Sequence, residues 1–280
     1  MHSGDHITER ATAGEDDSPL MAAISARDRD TLAMVRRALR EHDVALAYQP
    51  VMRANGSPQP AFYEGLIRVL DETGRIIPAR EFIGTVETTE MGRMIDCLAL
   101  EMGLAALADT PALRLSINMS ARSIGYPRWM QTLNHGLSQD GTVAERLILE
   151  ITESSAMLMP DLVTVFMKDL QYRGISFALD DFGAGYTAFR YLRDFYFDIL
   201  KIDGQFIRGI GTNPDNQILA SALISIARHF DMFTIAESVE NAQDAAFLQD
   251  SGIDCMQGYF FGAPSLNPPW RNGATQKKTA

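Results

Sequence analysis

From about residue 21 to 42 apolar side chains recur every three or four positions, with Leu32, Val35 and Leu39 on one helical face. Alternation then takes over. Residues 44–52 and 62–69 read as two strands joined by a turn rich in Gly, Ser and Pro, which predicts an antiparallel pair. Helical stretches over 82–107, 124–136, 161–172, 187–193, 214–229 and 242–250 come next. They take turns with strand patterns over 113–119, 147–151, 175–179, 197–202, 233–236 and 256–261. About eight strands with helices between them predict a closed (β/α)8 barrel, with a doubly wound sheet as the alternative. The expected division is a flexible acidic tail (1–20), an N-terminal helix (21–43), the barrel (44–268) and a flexible C-terminal tail (269–280).

Composition narrows the function classes. A formal net charge of −11 argues against general nucleic-acid binding, DNA included, because that needs a basic face. No run approaches the ~18 apolar residues of a membrane span, and no basic-then-apolar leader opens the chain. Two cysteines, Cys97 and Cys255, make no disulfide framework and suit a reducing cytoplasm. An anionic ligand would need something other than net charge to hold it, such as divalent cations on an acidic cluster.

The polar residues on the strands supply such a cluster. Residues 175–185 form a short apolar run ending in Asp180 and Asp181, then Phe182 and two glycines. Taken alone, an Asp pair before a glycine loop reads equally well as a solvated turn. Elsewhere Glu64 lies in the second strand, Asn118 ends the third and Glu150 the fourth. Lys201 and Asp203 end the sixth, Glu237 the seventh, and Gln257 lies in the eighth. In a barrel these strand ends converge on one face, where so many carboxylates need compensation. An all-oxygen set without His or Cys favours Mg²⁺ or Mn²⁺ over Zn²⁺. Adjacent Asp180 and Asp181 could serve two ions, as in phosphodiester hydrolysis.

At these residues the chain resembles the EAL domain family, the bacterial cyclic di-GMP phosphodiesterases. The shared motifs are Y-Q-P at Tyr48, E-G-L-I-R at Glu64, S-I-N-M-S at Ser116 and L-E-I-T-E-S at Leu149. They continue with D-D-F-G-A-G-Y at Asp180, L-K-I-D at Leu200, A-E-S-V-E at Ala236 and Q-G-Y at Gln257. The resemblance implies a modified TIM barrel whose first strand runs antiparallel to the others. It implies hydrolysis of cyclic di-GMP to linear pGpG. It places Glu64, Asn118, Glu150 and Asp180 on one metal and Asp180, Asp181 and Glu237 on the second. Lys201 would polarise the attacking water, and Glu64 and Glu237 would share in catalysis. Gln49, Leu66, Arg68, Asn118, Asp203, Glu240 and Gln257 would meet substrate. Ca²⁺ would occupy the site without supporting turnover.

The family's homodimer would place the loop 181–189 at its interface, with Phe182, Tyr186 and Phe189 as anchors and Glu153 as the loop's tether. A capping role for Glu153 at a helix N-terminus is the alternative. A regulatory protein partner is a further expectation. Three departures stand out: Gly65 replaces the usual Ala, Ser238 the usual Gly, and residues 82–84 lack the usual proline. Ser238 would strain a turn that needs positive φ. The rival reading is a receptor that binds cyclic di-GMP without cleaving it, although receptors typically lose an acid or the lysine. A Mg²⁺-dependent barrel of other chemistry, such as enolate formation, is a third.

Overall fold

The computed structural model describes residues 19–184 and 192–274, with side chains over 26–184 and 192–271. Its sheet grows from the hairpin that the alternation predicts. β1 (Val44–Arg53) runs antiparallel to β2 (Pro60–Leu70), and the register slips between Val51 and Met52. β3 (Ile76–Pro78) folds back antiparallel on β2, a three-residue strand too short to show in the pattern. From β2 the ring continues in parallel through β4 (Leu115–Asn118), β5 (Leu147–Thr152), β6 (Ser176–Phe182), β7 (Ile199–Ile202), β8 (Phe233–Ala236) and β9 (Cys255–Met256). β9 then pairs antiparallel with β1 and closes the barrel. β1 therefore opposes both of its neighbours, and β3 hangs outside the ring.

Side chains two apart on a strand share a face, and the interior follows that rule in two layers. Val51, Phe62, Ile148, Ala178, Ile199 and Ile235 form a small buried apolar cluster. Two residues further along β2, β5, β6 and β7 stand Glu64, Glu150, Asp180 and Lys201, and Glu237 follows Ile235 by two positions just past the end of β8. One layer plugs the barrel, and the next faces its C-terminal mouth with charge.

Helices cover the outside. They are α1 (Pro19–Glu41), α2 (Ile83–Val86), α3 (Glu90–Asp109), α4 (Pro127–Gln139) and α5 (Glu153–Leu158), followed by α6 (Pro160–Tyr172), α7 (Gly204–Ile207), α8 (Pro214–His229), α9 (Ala242–Asp250) and α10 (Pro269–Ala274). A larger apolar cluster fills the space between them and the strands, with Phe166 bridging Trp129 and Phe177. α1 buries Val35, Ala38 and Leu39, and Arg37 ties its end to β2 by donating to the Leu70 carbonyl at 2.8 Å. No described helix is long and apolar enough to cross a membrane.

Several boundaries differ from the pattern. The helix expected over 82–107 is broken, because the Thr89 hydroxyl accepts from Met91 N–H and starts α3 afresh. The strand expected over 256–261 stops at Met256. A Cβ on Gly258 would run into the Val239 backbone, so the loop after β8 crosses there instead. The C-terminal tail expected from residue 269 begins as helix α10, with Trp270 edge-on against Tyr48 and Tyr63 at 5.1 and 4.6 Å. Most of the helix expected over 187–193 lies outside the described residues.

Candidate active site

Lys201 is the hub of the charged layer. Its side chain is 1% exposed, and Nζ lies 2.6 Å from Glu150, 2.8 Å from Glu237, 2.9 Å from Asp180 and 3.6 Å from Glu64. Burial alone would pull its pKa down. The four carboxylates outweigh that and hold the ammonium charged, well above the ordinary lysine value. One ammonium cannot satisfy four acids. Burial, then the neighbouring Glu64, pushes Glu150 up to about 8. Burial raises Glu237 well above the usual range, although Lys201 opposes the shift. Burial and the adjacent Asp180 raise Asp181 to about 6.

The remaining expected ligands converge here. Glu64 takes a hydrogen bond from Asn118 Nδ2 at 2.8 Å and another from Gln257 Nε2 at 2.6 Å. Gln257 Nε2 also reaches Gln49 at 3.2 Å. Asp181 needs a special backbone to join. Alternation along β6 would point it away from Asp180, but β6 is irregular between Leu179 and Phe182, and Asp181 sits at φ 54°. That kink re-aims the carboxylate, as bulges beside active sites do. Ligand atoms of Asp180, Asp181 and Glu237 thus lie within 4.8 Å of one another.

These residues fit divalent metal. Among the described residues Glu150 Oε1 is buried without a hydrogen-bond partner, and Asp180 Oδ1 has the Lys201 ammonium at 2.9 Å as its ion-pair partner. A buried oxygen left unsatisfied in an acid-rich, oxygen-only cluster suits a hard cation.

Above the cluster opens a cavity of about 460 Å³, lined among others by Gln49, Glu64, Leu66, Arg68, Asp180, Lys201, Glu240 and Gln257. Asp203 is not in that lining. Its carboxylate caps α7 by accepting from Gln205 N–H at 2.7 Å. Pattern reading missed Arg80, Arg208 and Tyr259, which also line the cavity, because nothing in their spacing marks them.

Loops are held at both sides of the site. Glu153 is buried, and its Oε2 accepts from Gly183 N–H at 3.1 Å, while Gln205 donates to the Gly183 carbonyl at 2.9 Å. Phe182 is 1% exposed, so it fills the interior and is not the interface anchor expected of it. Tyr186 and Phe189 lie outside the described residues. Buried Asp96 on α3, also missed by pattern reading, accepts from Ser120 N–H at 3.0 Å and Ser123 Oγ at 2.5 Å, fixing the loop that follows Asn118. Gly65 is packed tight: a Cβ would meet Ile117 Cδ1 at 2.7 Å. Ser238 does take the strained turn conformation, at φ 56°.

The EAL domain model matches residues 32–264. The cyclic di-GMP phosphodiesterase PdeF of Escherichia coli is 34% identical over 244 residues, covering 84% of this chain and 32% of that protein. The cyclic di-GMP phosphodiesterase NbdA of Pseudomonas aeruginosa is 32% identical over 236 residues, covering 82% and 30%. This chain therefore spans about a third of the length of the curated relatives it matches. The solved PaMucR phosphodiesterase in complex with c-di-GMP superposes with a TM-score of 0.74 at 27% identity, covering 87% of this chain and 99% of that one. With the family's motifs gathered at one barrel mouth and its model matched over most of the sequence, this chain belongs to the EAL domain family.

Proposed function

We propose that this barrel hydrolyses cyclic di-GMP to linear pGpG in a reducing cytoplasm. The observation that carries the reading is the buried Lys201 ammonium within reach of Glu64, Glu150, Asp180 and Glu237, with Glu150 Oε1 left without a partner among the described residues. Glu64, Asn118, Glu150 and Asp180 would hold one Mg²⁺ or Mn²⁺, and Asp180, Asp181 and Glu237 the other. Bound, the pair would polarise the phosphoryl oxygens and lower the pKa of water.

The chain's own residues do the rest. Lys201 orients the attacking water and offsets the negative charge that builds on the phosphoryl group. Arg68 suits a phosphate through its planar fork of donors, and burial holds its pKa below the usual arginine value without neutralising it. The Gln49 and Gln257 amides, joined to each other and to Glu64, fix the floor of the cavity. In the reaction, the water oxygen bonds to phosphorus as the bond to the ribose 3′ oxygen breaks. That oxygen leaves as a hydroxyl, taking up a proton.

Incubation with cyclic di-GMP and Mg²⁺ or Mn²⁺, followed by chromatography, is expected to show the linear dinucleotide. Ca²⁺ in their place should bind and give under about 1% of that rate, since its longer bonds spoil in-line geometry. Unchanged substrate under every metal condition, with binding retained, would leave the receptor reading instead.

The active form in this reading is a homodimer. Supporting it, Leu158, Leu162 and Val165 on α5 and α6 are 56%, 43% and 68% exposed, and α5 begins at Glu153, which grips the metal loop at Gly183. Specific activity is expected to fall on dilution together with the sedimenting dimer fraction. A monomer of undiminished activity would refute the coupling.

A further inference from the structure

We propose that Arg208 reads a guanine base of the substrate, held in position by Ser238 and standing beside Glu240, which the family resemblance already places at the substrate; this rests on the cyclic dinucleotide reading above. All three residues line the 460 Å³ cavity. Arg208 Nη2 donates to Ser238 Oγ at 3.0 Å, and Arg208 Nε lies 3.8 Å from Glu240 Oε1. The two charged side chains are 60% and 53% exposed, so most of their hydrogen-bonding capacity faces solvent or ligand.

Ser238 is the unusual member. Its φ of 56° is a conformation that glycine takes without strain and serine does not. Its side chain fits only because residue 204 is glycine: a Cβ there would collide with Ser238 Oγ. Glycine at 238 would relax the backbone and ease that packing. What serine adds is the hydroxyl, and the hydroxyl's recorded partner is Arg208.

Phosphate is the obvious ligand for an arginine, yet it fits this one poorly. Glu240 stands beside Arg208 and would repel an anion. Elsewhere in the lining, Arg68 and Arg80 are close enough that Arg80 disfavours the charge on Arg68, an arrangement that an anion relieves. Guanine matches the Arg208–Glu240 pair. Its O6 and N7 accept while its neighbouring N1–H and N2–H₂ donate, so a guanidinium and a carboxylate side by side meet both sets. Adenine reverses the pattern at positions 6 and 1, presenting a donor to the arginine and an acceptor to the carboxylate. Tyr259, 60% exposed in the same lining, offers a ring on which a base can stack.

The test compares wild type, Arg208→Ala and Ser238→Gly, using turnover of cyclic di-GMP and competitive inhibition by cyclic di-AMP. Arg208→Ala is expected to raise KM for cyclic di-GMP about ten- to hundredfold, with kcat moved less than about threefold. The cyclic di-AMP inhibition constant should stay within about twofold, so base selectivity collapses. Ser238→Gly should give a smaller KM rise in the same direction, with a thermal midpoint equal to or above that of wild type. Loss of selectivity without loss of stability is what a merely structural serine would not produce. Parallel weakening of both nucleotides by Arg208→Ala would place the guanidinium on a phosphate and overturn the proposal, as would an unchanged KM. Wild-type protein that binds without cleaving would sink the hydrolase reading alone. The same ratios taken as Kd values would then still decide the arginine's role.

Discussion

Lys201→Ala is expected to lower turnover of cyclic di-GMP about 10³-fold while leaving Mn²⁺ binding at least as tight as in wild type. The metal-free protein should lose about 3–5 kcal/mol of stability, which is what removal of one partner from a buried charge cluster costs. Both effects follow from one geometry. The ammonium lies within 3.6 Å of four carboxylates, so it is their shared counter-ion in the absence of metal. Removing it leaves buried acids that can respond only by taking up protons or by drawing in a cation.

Mn²⁺ should therefore rescue the stability of Lys201→Ala but not its turnover, because an ammonium aimed at the developing charge is still missing. Asp180→Ala is expected to behave in the opposite way, losing metal and turnover together, since a carboxylate coordinates and an ammonium does not. Calorimetric titration with Mn²⁺, thermal melts with and without it, and single-turnover rates separate the two variants. If Lys201→Ala lost Mn²⁺ as severely as Asp180→Ala, this division of roles would be wrong.

The charged layer was legible in the sequence because strand-end acids are conspicuous where an apolar run stops. Glu64, Glu150, Asp180, Lys201 and Glu237 each follow an apolar residue by two positions, and period two sends both to the barrel interior. Asp181 was visible as a residue but not as a geometry, for alternation gives no sign of the kink at φ 54° that turns it inward. Ser238 was legible as a departure that strains its turn, yet its partner Arg208 and the space supplied by Gly204 come from another loop. Asp96 and Trp270 were missed for a related reason. Their importance lies in contacts far away in sequence, Asp96 to the loop after β4 and Trp270 to Tyr48 and Tyr63. Asp203 was legible as a motif aspartate beside a ligand-bearing strand, but its cap on α7 was not, because that contact depends on the turn the backbone takes after β7.

The stabilisation conferred by Mg²⁺ or Mn²⁺ is expected to grow as pH rises from about 5.5 to 8.5, by an order of a few kcal/mol. The source is Glu150, wholly buried and titrating at about 8 in the metal-free fold, against roughly 4.3 in an unfolded chain. A carboxyl with a raised folded pKa keeps its proton longer folded than unfolded. Its stabilising contribution is therefore complete below about pH 4 and is lost as pH climbs through 8. Asp181, raised to about 6, acts in the same direction, but its exposure lets solvent screen the effect. A divalent cation reverses the balance by rewarding the ionised form, so metal uptake near pH 7 should release protons. Thermal midpoints with chelator should fall across the range, while those with saturating Mn²⁺ stay level. Calorimetry in two buffers of different ionisation enthalpy should count the released protons. Asp180→Ala, lacking the shared ligand, should show little metal-dependent gain at any pH. A gain in wild type that stays constant between pH 5.5 and 8.5, with no proton release, would show that metal does not bind through these carboxylates.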